Sequence, residues 1–243
     1  MITSCTATTN TGNGFYHPPG SNGVGSVVGL SVSDSVATNN QLAGFDIFTA
    51  TTLTGCIAVE NSTAGITGNN SNILINCTVT ANLGNGIFLQ FFNRVTGCRA
   101  SSNNAYGIYV IGESTVADCL VSGNLQHGIV AAAGNEIRGN KISYTGTGGD
   151  AFVSASIFLP GSQNVVDGNI CTSVVSGDAG IKIADGSVSN FITRNRVNAD
   201  IRYIIPTGNH VAPIVVAATS PVVSGSTGGI PLGSTDPLAN WSF

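Results

Sequence analysis

The sequence predicts an all-β fold: a single-stranded right-handed parallel β-helix, a three-sided solenoid of about nine rungs of 21–29 residues, followed by an extended C-terminal tail. Three observations lead there. Cys56, Cys77, Cys98 and Cys119 recur every 21 residues, with Asn140 at the next step. Apolar and Asn columns move in register with these anchors. A Gly-apolar pair follows each regular anchor at a fixed distance.

The anchors set the frame. Beyond Asn140, steps of 29 and 26 residues reach Asn169 and Asn195, and steps of 26 and 25 lead back to Leu30 and Cys5. Three residues before each anchor the column reads Val27, Leu53, Leu74, Val95, Val116, Ile137, Val166 and Ile192, all aliphatic. Two residues after it stand Ala7, Val32, Ala58, Val79, Ala100, Val121, Ile142, Cys171 and Val197. Both columns read as strand centres facing a core.

Polar columns mark the corners. Asn10, Asn61, Asn82, Asn103 and Asn124 lie five residues after an anchor; Asn72, Asn93, Asn135, Asn164 and Asn190 lie five before, with Ser114 substituting once. Stacked at the inter-strand spacing of roughly 4.8 Å, such side chains bond amide to amide and satisfy polar groups that are costly to bury. The Gly-apolar pairs are Gly14-Phe15, Gly44-Phe45, Gly65-Ile66, Gly86-Ile87, Gly107-Ile108, Gly128-Ile129 and Gly180-Ile181. Each Gly is expected to take a turn conformation, and each apolar residue to open a strand. A 21-residue unit is too short for a helical hairpin repeat, and the Leu-x-x-Leu-x-Leu signature of leucine-rich repeats is absent.

Residues 1–210 are therefore expected to form the solenoid, and 211–243 a tail that packs on it or on a neighbouring subunit. Nothing in the 243 residues resembles a linker. Eight Lys plus Arg against twelve Asp plus Glu leave a net charge of −4, which supplies no footprint for nucleic acid. No apolar run is long enough for a transmembrane segment. Met1 to Cys5 lack the features of a signal peptide, so an extracellular or cell-surface location is inferred from fold and composition.

Cys56, Cys77, Cys98 and Cys119 read as a core ladder of thiols alongside the ladder of Asn61, Asn82, Asn103 and Asn124. Parallel Cβ vectors one rung apart stand too wide for disulfides, and no CxxC pair offers a zinc site. His17, His127 and His210 fall in different turns, so no metal and no cofactor is expected; nucleotide and metallohydrolase motifs are absent too. The closest approach to a charged cluster is Asp178, Lys182 and Asp185 around Gly180-Ile181, a weak alternative to having no catalytic residue.

One face departs from alternation. In Ile87-Phe88-Leu89-Gln90-Phe91-Phe92, Ile108-Tyr109-Val110-Ile111 and Ile129-Val130-Ala131 both sides are apolar, so Phe88, Tyr109, Ile111 and Val130 are expected to point outward. A patch of that size calls for a cover. The tail with Trp241 and Phe243 supplies one, and a second subunit supplies another. With Cys5 already in the anchor column, the first rung is expected to begin without a cap: either the chain is a fragment, or its end stacks on another subunit.

These columns resemble the right-handed parallel β-helix repeat proteins of bacteria, the group that includes pectate-lyase-like and NosD-like solenoids. The resemblance covers residues 1 to about 210 through N-x-x-x-x-G-I rungs such as Asn82 to Ile87 and Asn103 to Ile108. The endings Thr207 to Ile214 and Asp236 to Phe243 also resemble tails of uncharacterised members. It implies the fold, and no catalytic residue of a pectate lyase or polygalacturonase can be carried over. Two functions stay open. The first is a non-catalytic extracellular structural protein that self-assembles into a trimer or filament through Phe88, Tyr109, Ile111, Val130, Trp241 and Phe243. The alternative is a polysaccharide-binding or polysaccharide-degrading solenoid, tailspike-like, with glycans as partners and a groove near Tyr16, His17, Tyr109 or Asp178 to Lys182.

Overall fold

The computed structural model describes residues 1–18, 29–143, 145–146, 154–173, 175–216 and 237–242. Short strands dictate the architecture. Triplets such as Leu74 between Ile73 and Ile75 place one side chain in the core and two outside, and a corner follows before a hydrophobic slab can form. All strand pairs are parallel. They build three sheets: sheet A with ten strands from Ile2–Thr3 to His210–Val211, sheet B with eleven from Thr6–Thr8, and sheet C with nine from Phe15–Tyr16 to Ile201–Ile204. Each chain turn visits A, B and C in order, and the described residues contain no helix.

The core is a stack of columns. Sheet A contributes Leu53, Leu74, Val95 and Val116, sheet C contributes Ile66, Ile87, Ile108 and Ile129, and sheet B the smaller Ala37, Ala58, Val79 and Ala100, all essentially inaccessible. The small residues on sheet B have a steric cause. A Cβ added to Gly44 would meet the Ala58 Cβ at 2.9 Å, the Asn61 Nδ2 at 2.8 Å and the Gly65 carbonyl at 2.7 Å. Here the Gly column serves close approach between rungs. It was expected to serve as turns, yet none of Gly14, Gly44, Gly65, Gly86, Gly107, Gly128 or Gly180 has a positive φ.

The left-handed positions lie one residue before each buried corner side chain. Asn76, Ala81, Phe92, Ser102 and Asp118 hold φ between 52° and 59°. Such a conformation costs an ordinary residue roughly 1–2 kcal/mol. It is sustained because the next side chain then turns inward and joins a ladder. Asn40, Asn61, Asn82, Asn103 and Asn124 are linked Nδ2 to Oδ1 at 2.8–3.0 Å. Asn135, Asn164, Asn190 and Asn209 form a second ladder, and Asn140, Asn169, Asn195 and Asn240 a third.

The third ladder continues the thiol column. Cys77 donates its backbone N–H to the Cys98 Sγ at 3.4 Å, and Cys119 donates its own to the Asn140 Oδ1 at 2.9 Å. The amide thus takes over the corner role of the thiol. All six cysteines are unbridged; five are buried and Cys5, in the first rung, is exposed. The hydrogen bond to Cys119, together with burial, pushes the Cys98 thiol up to about 12, so it stays protonated at neutral pH.

The second rung corrects the expected register. Thr6 pairs with Val36, and the Cys5 N–H is bonded to the Ser35 Oγ, 30 residues on. Ser35, not Leu30, holds the anchor place. Val32 accordingly belongs to sheet A opposite Leu53, while Ala37 takes the sheet B position. Val27 lies outside the described residues. Asn40 and Gly44 then fall five and nine residues after the anchor, as in every regular rung, and the extra residues lie in the connection after Tyr16.

The described parts of the tail extend the solenoid at its far end. Asn240–Ser242 pairs with Arg196–Asn198 as a further strand of sheet B, and Ile214–Val216 pairs with it in turn. Asn240 closes the third ladder, and the Tyr203 hydroxyl donates to the Trp241 carbonyl at 3.4 Å. Trp241 therefore lies on sheet B, away from the apolar face it was expected to cover. Phe243 lies outside the described residues.

Candidate functional site

Five successive strands of sheet C, from Ile87–Phe91 to Ala179–Ile183, have five residues each, giving this face more area than the others. Parallel register stacks Phe88 on Tyr109, Tyr109 on Val130, Val130 on Phe158 and Phe158 on Lys182. Beside this column, Tyr106 and His127 each precede the Gly that opens a strand, one rung apart.

The two columns merge into one aromatic ridge. Phe88 and Tyr109 have ring centroids 5.2 Å apart, and Tyr106 meets Tyr109 edge-on at 5.7 Å. Tyr106 stacks on His127 at 5.5 Å, and His127 on Phe158 at 4.6 Å. The Lys182 Nζ completes the row 5.5 Å from the Phe158 centroid, a cation–π distance. Five successive rungs contribute, so the ridge runs roughly 20 Å along the axis. All its rings are half-buried.

His127 is held in one state. Its Nδ1 accepts the Ala155 N–H at 2.9 Å, which places the proton of the neutral ring on Nε2. Burial, with the nearby Lys182 charge second, lowers its pKa to about 4. At neutral pH it is an uncharged stacking plane with one ring donor, the Nε2–H. The linkage sign follows: the unfolded chain takes up this proton below about 6.5 and the folded chain only below about 4. Stability is thus complete above the unfolded value and falls as pH drops through that window, by about 2 kcal/mol after allowance for partial exposure. Thermal melts of the protein and of a His127→Gln variant from pH 7 to 4 check this: the variant's curve should be flatter.

The expected outward residues fare differently. Phe88 and Tyr109 belong to the ridge, and Ile111 is half-buried beside it. Val130 is 3% exposed, closed over between Tyr109 and Phe158. Because the rings cover one another and Val130, less apolar surface faces water than strand alternation predicts.

The acidic candidates do not converge. Asp178 precedes the strand Ala179–Ile183 and is buried, accepting a bond from the Ser173 Oγ at 3.1 Å; burial raises its pKa. Asp185 is exposed in the turn beyond the strand. The two flank the five residues of that strand, which alone span roughly 16 Å, against about 5–9.5 Å for a carboxylate pair that cleaves glycosides. Only Lys182 of the three joins the ridge. Tyr16 and His17 lie at the first rung, lining a cavity of about 180 Å³ with Phe15, Leu30 and Phe45; Tyr16 stands three rungs before Phe88 in the same outward column, with Asp46 and Thr67 between. Among the described residues no group of three His, Cys, Asp or Glu could hold a metal ion, and no helix is long and apolar enough to cross a membrane.

Sequence reasoning, which places Ile157-Phe158-Leu159 on the same apolar sheet and His127 in a turn, did not join Tyr106, His127 and Phe158 into one site. The signal existed for the first two, since they occupy one column 21 residues apart.

Comparison with known proteins agrees with the fold. A family model described as a right-handed β-helix region matches residues 1–142. No curated protein matches the chain. Among solved structures, the A-module of a mannuronan C-5 epimerase from Azotobacter vinelandii superposes with a TM-score of 0.68 at 21% identity, covering 76% of this chain and 58% of that one. A periplasmic alginate epimerase gives 0.61 at 13% identity, covering 75% of this chain and 49% of its own. A pectate lyase gives 0.60 at 13%, covering 84% and 67%. Identities this low show a shared fold alone. The chain spans 58% of the first of these structures and 49% of the second.

Proposed function

Because the chain belongs to the right-handed β-helix family, we propose that it is a polysaccharide-binding solenoid, extracellular or on the cell surface, whose glycan lies along the outer face of sheet C. The aromatic ridge carries this reading. A pyranose ring presents a face of C–H bonds and a rim of hydroxyls. Tyr106, His127 and Phe158 cover one another's faces, so their edges form the apolar strip for the C–H face, and the rim suits donors such as the His127 Nε2–H and the Lys182 ammonium. Rings on successive rungs, roughly 4.8 Å apart, match the advance of a linear glycan by one sugar. Structural neighbours named as an alginate epimerase and a pectate lyase share the fold, which lends the reading support.

Binding without cleavage fits the groups present. The His127 Nδ1 is occupied by a backbone donor, and no carboxylate stands on the ridge among the described residues. Calorimetric titration of the full chain against neutral and acidic linear polysaccharides tests the proposal. At least one should bind, and Tyr106→Ala or Phe158→Ala should each weaken it roughly tenfold, about 1.4 kcal/mol. A panel without a binder, or variants that bind undiminished, would sink it.

A second reading, self-association through the same face, is favoured by Phe91 and Phe92, 39% and 57% exposed at the edge of sheet C. Sedimentation equilibrium separates the two: a Phe92→Ser change that dissociates an oligomer supports association, whereas a monomer at all concentrations rules it out.

A further inference from the structure

The outer face of sheet B is built differently from its neighbours. Its first outward column runs Ile57, Thr78, Arg99, Leu120, Lys141, Ile170 and Arg196, so a cation stands on every second rung from Arg99 on. The second outward column carries a hydroxyl on five consecutive rungs: Thr80, Ser101, Ser122, Ser143 and Thr172. No described strand of this sheet has an Asp or Glu, although the chain as a whole is acidic.

Structural economy does not explain this pattern. An acidic neighbour would stabilise each cation, and at sheet A that occurs: Arg138 lies 3.4 Å from Glu136 in its own strand, and Arg194 is bound to Asp167 of the preceding rung. Arg99 and Lys141 make no ion pair with a described residue and stand exposed. The corner carboxylate of Asp118 lies over the backbone of Gly139, where an added Cβ would meet its Oδ1 at 2.6 Å.

We infer that the outer face of sheet B binds a linear anionic polysaccharide lying along the solenoid axis, with one acidic group at each cation on alternate rungs. The spacing selects the ligand. Cations two rungs apart stand roughly 10 Å from one another, the advance of two sugars in an extended chain. In a ribbon that turns over at each linkage, every second acidic group faces the same surface. The guanidinium of Arg99 offers a fork to a carboxylate or sulfate, and Lys141 a point charge. The hydroxyl column lies within reach of the sugar rims. This site is distinct from the ridge on sheet C and does not depend on it.

Hyaluronan decasaccharide, polygalacturonate and polymannuronate are the probes, with carboxyl-reduced hyaluronan and oligo-dT as comparisons, titrated into the full chain at low and moderate salt. At least one acidic glycan should bind, more weakly as salt rises. An Arg99→Gln/Lys141→Gln double variant should lose at least about tenfold of that affinity, Arg138→Gln on sheet A should leave it intact, and the reduced glycan should not bind. Failure of all three acidic probes, equal affinity in the double variant, or tighter binding of oligo-dT would each overturn the inference. Loss with Phe158→Ala but not with the double variant would instead assign the ligand to sheet C.

Discussion

Replacing Asn82 by leucine should cost at least about 3 kcal/mol of folding stability, a large part of the 5–15 kcal/mol available to a typical domain. Asn82 stands in the middle of its ladder. It accepts the Asn61 backbone N–H and the Asn61 Nδ2 at 3.0 Å each, and it donates to the Asn103 Oδ1 at 3.0 Å and the Ala58 carbonyl at 3.2 Å. Leucine has similar bulk and none of these bonds. The orphaned donors of Asn61 stay buried, because both neighbouring rungs seal the corner, and each costs about 1–3 kcal/mol. Denaturant titration gives the loss as a shift in midpoint. A change below about 1 kcal/mol would mean that water reaches the corner or that the rungs re-register. Asn39→Leu, at the exposed left-handed position in the same corner type, should cost far less.

Gly86→Ala should be comparably damaging for a different reason. The new Cβ would sit 2.6 Å from the Gly107 carbonyl and 2.7 Å from the Asn103 Nδ2, both in the next rung. Neither atom can retreat without opening the ladder or the backbone bond from the Ile87 N–H to the Gly107 carbonyl, 2.9 Å long. Overpacking against side chains costs about 1–3 kcal/mol, and against backbone the upper end applies. Gly12 is the control, since an added Cβ there meets nothing within 4 Å. Gly12→Ala should shift stability by less than about 0.5 kcal/mol in the same titration. Equal losses at the two sites would refute the close-approach account of the Gly column.

How much of this could be read in the sequence depends on what each residue type can signal. The period was legible because Cys56, Cys77, Cys98 and Cys119 repeat without insertion, and the strand centres and both Asn columns came with it. The second rung was not, because Leu30 and Val32 satisfy an apolar pattern as well as the true occupants do. Hydrophobicity alone cannot separate registers a few residues apart; Asn40 and Gly44, counted back to Ser35, could have. The role of the Gly column was misassigned since composition does not distinguish a missing Cβ needed for φ from one needed for space. The ridge was half visible. Phe88 and Tyr109 emerged as outward residues, but Tyr106 and His127 looked like turn residues one at a time, and an irregular rung displaced Phe158 from the 21-residue count. Asp178 and Asp185 looked close only because sequence distance hides the length of an extended strand.

The central claim is that the ridge on sheet C is a glycan platform, and a backbone amide chemical-shift map of the full chain during titration with its tightest-binding neutral oligosaccharide tests it most directly. The account predicts shifts gathered at 106–109, 127–130, 155–158 and around Lys182, with sheet A silent. Shifts confined to sheet A or to the ends of the solenoid, with the ridge unmoved at saturation, would contradict it.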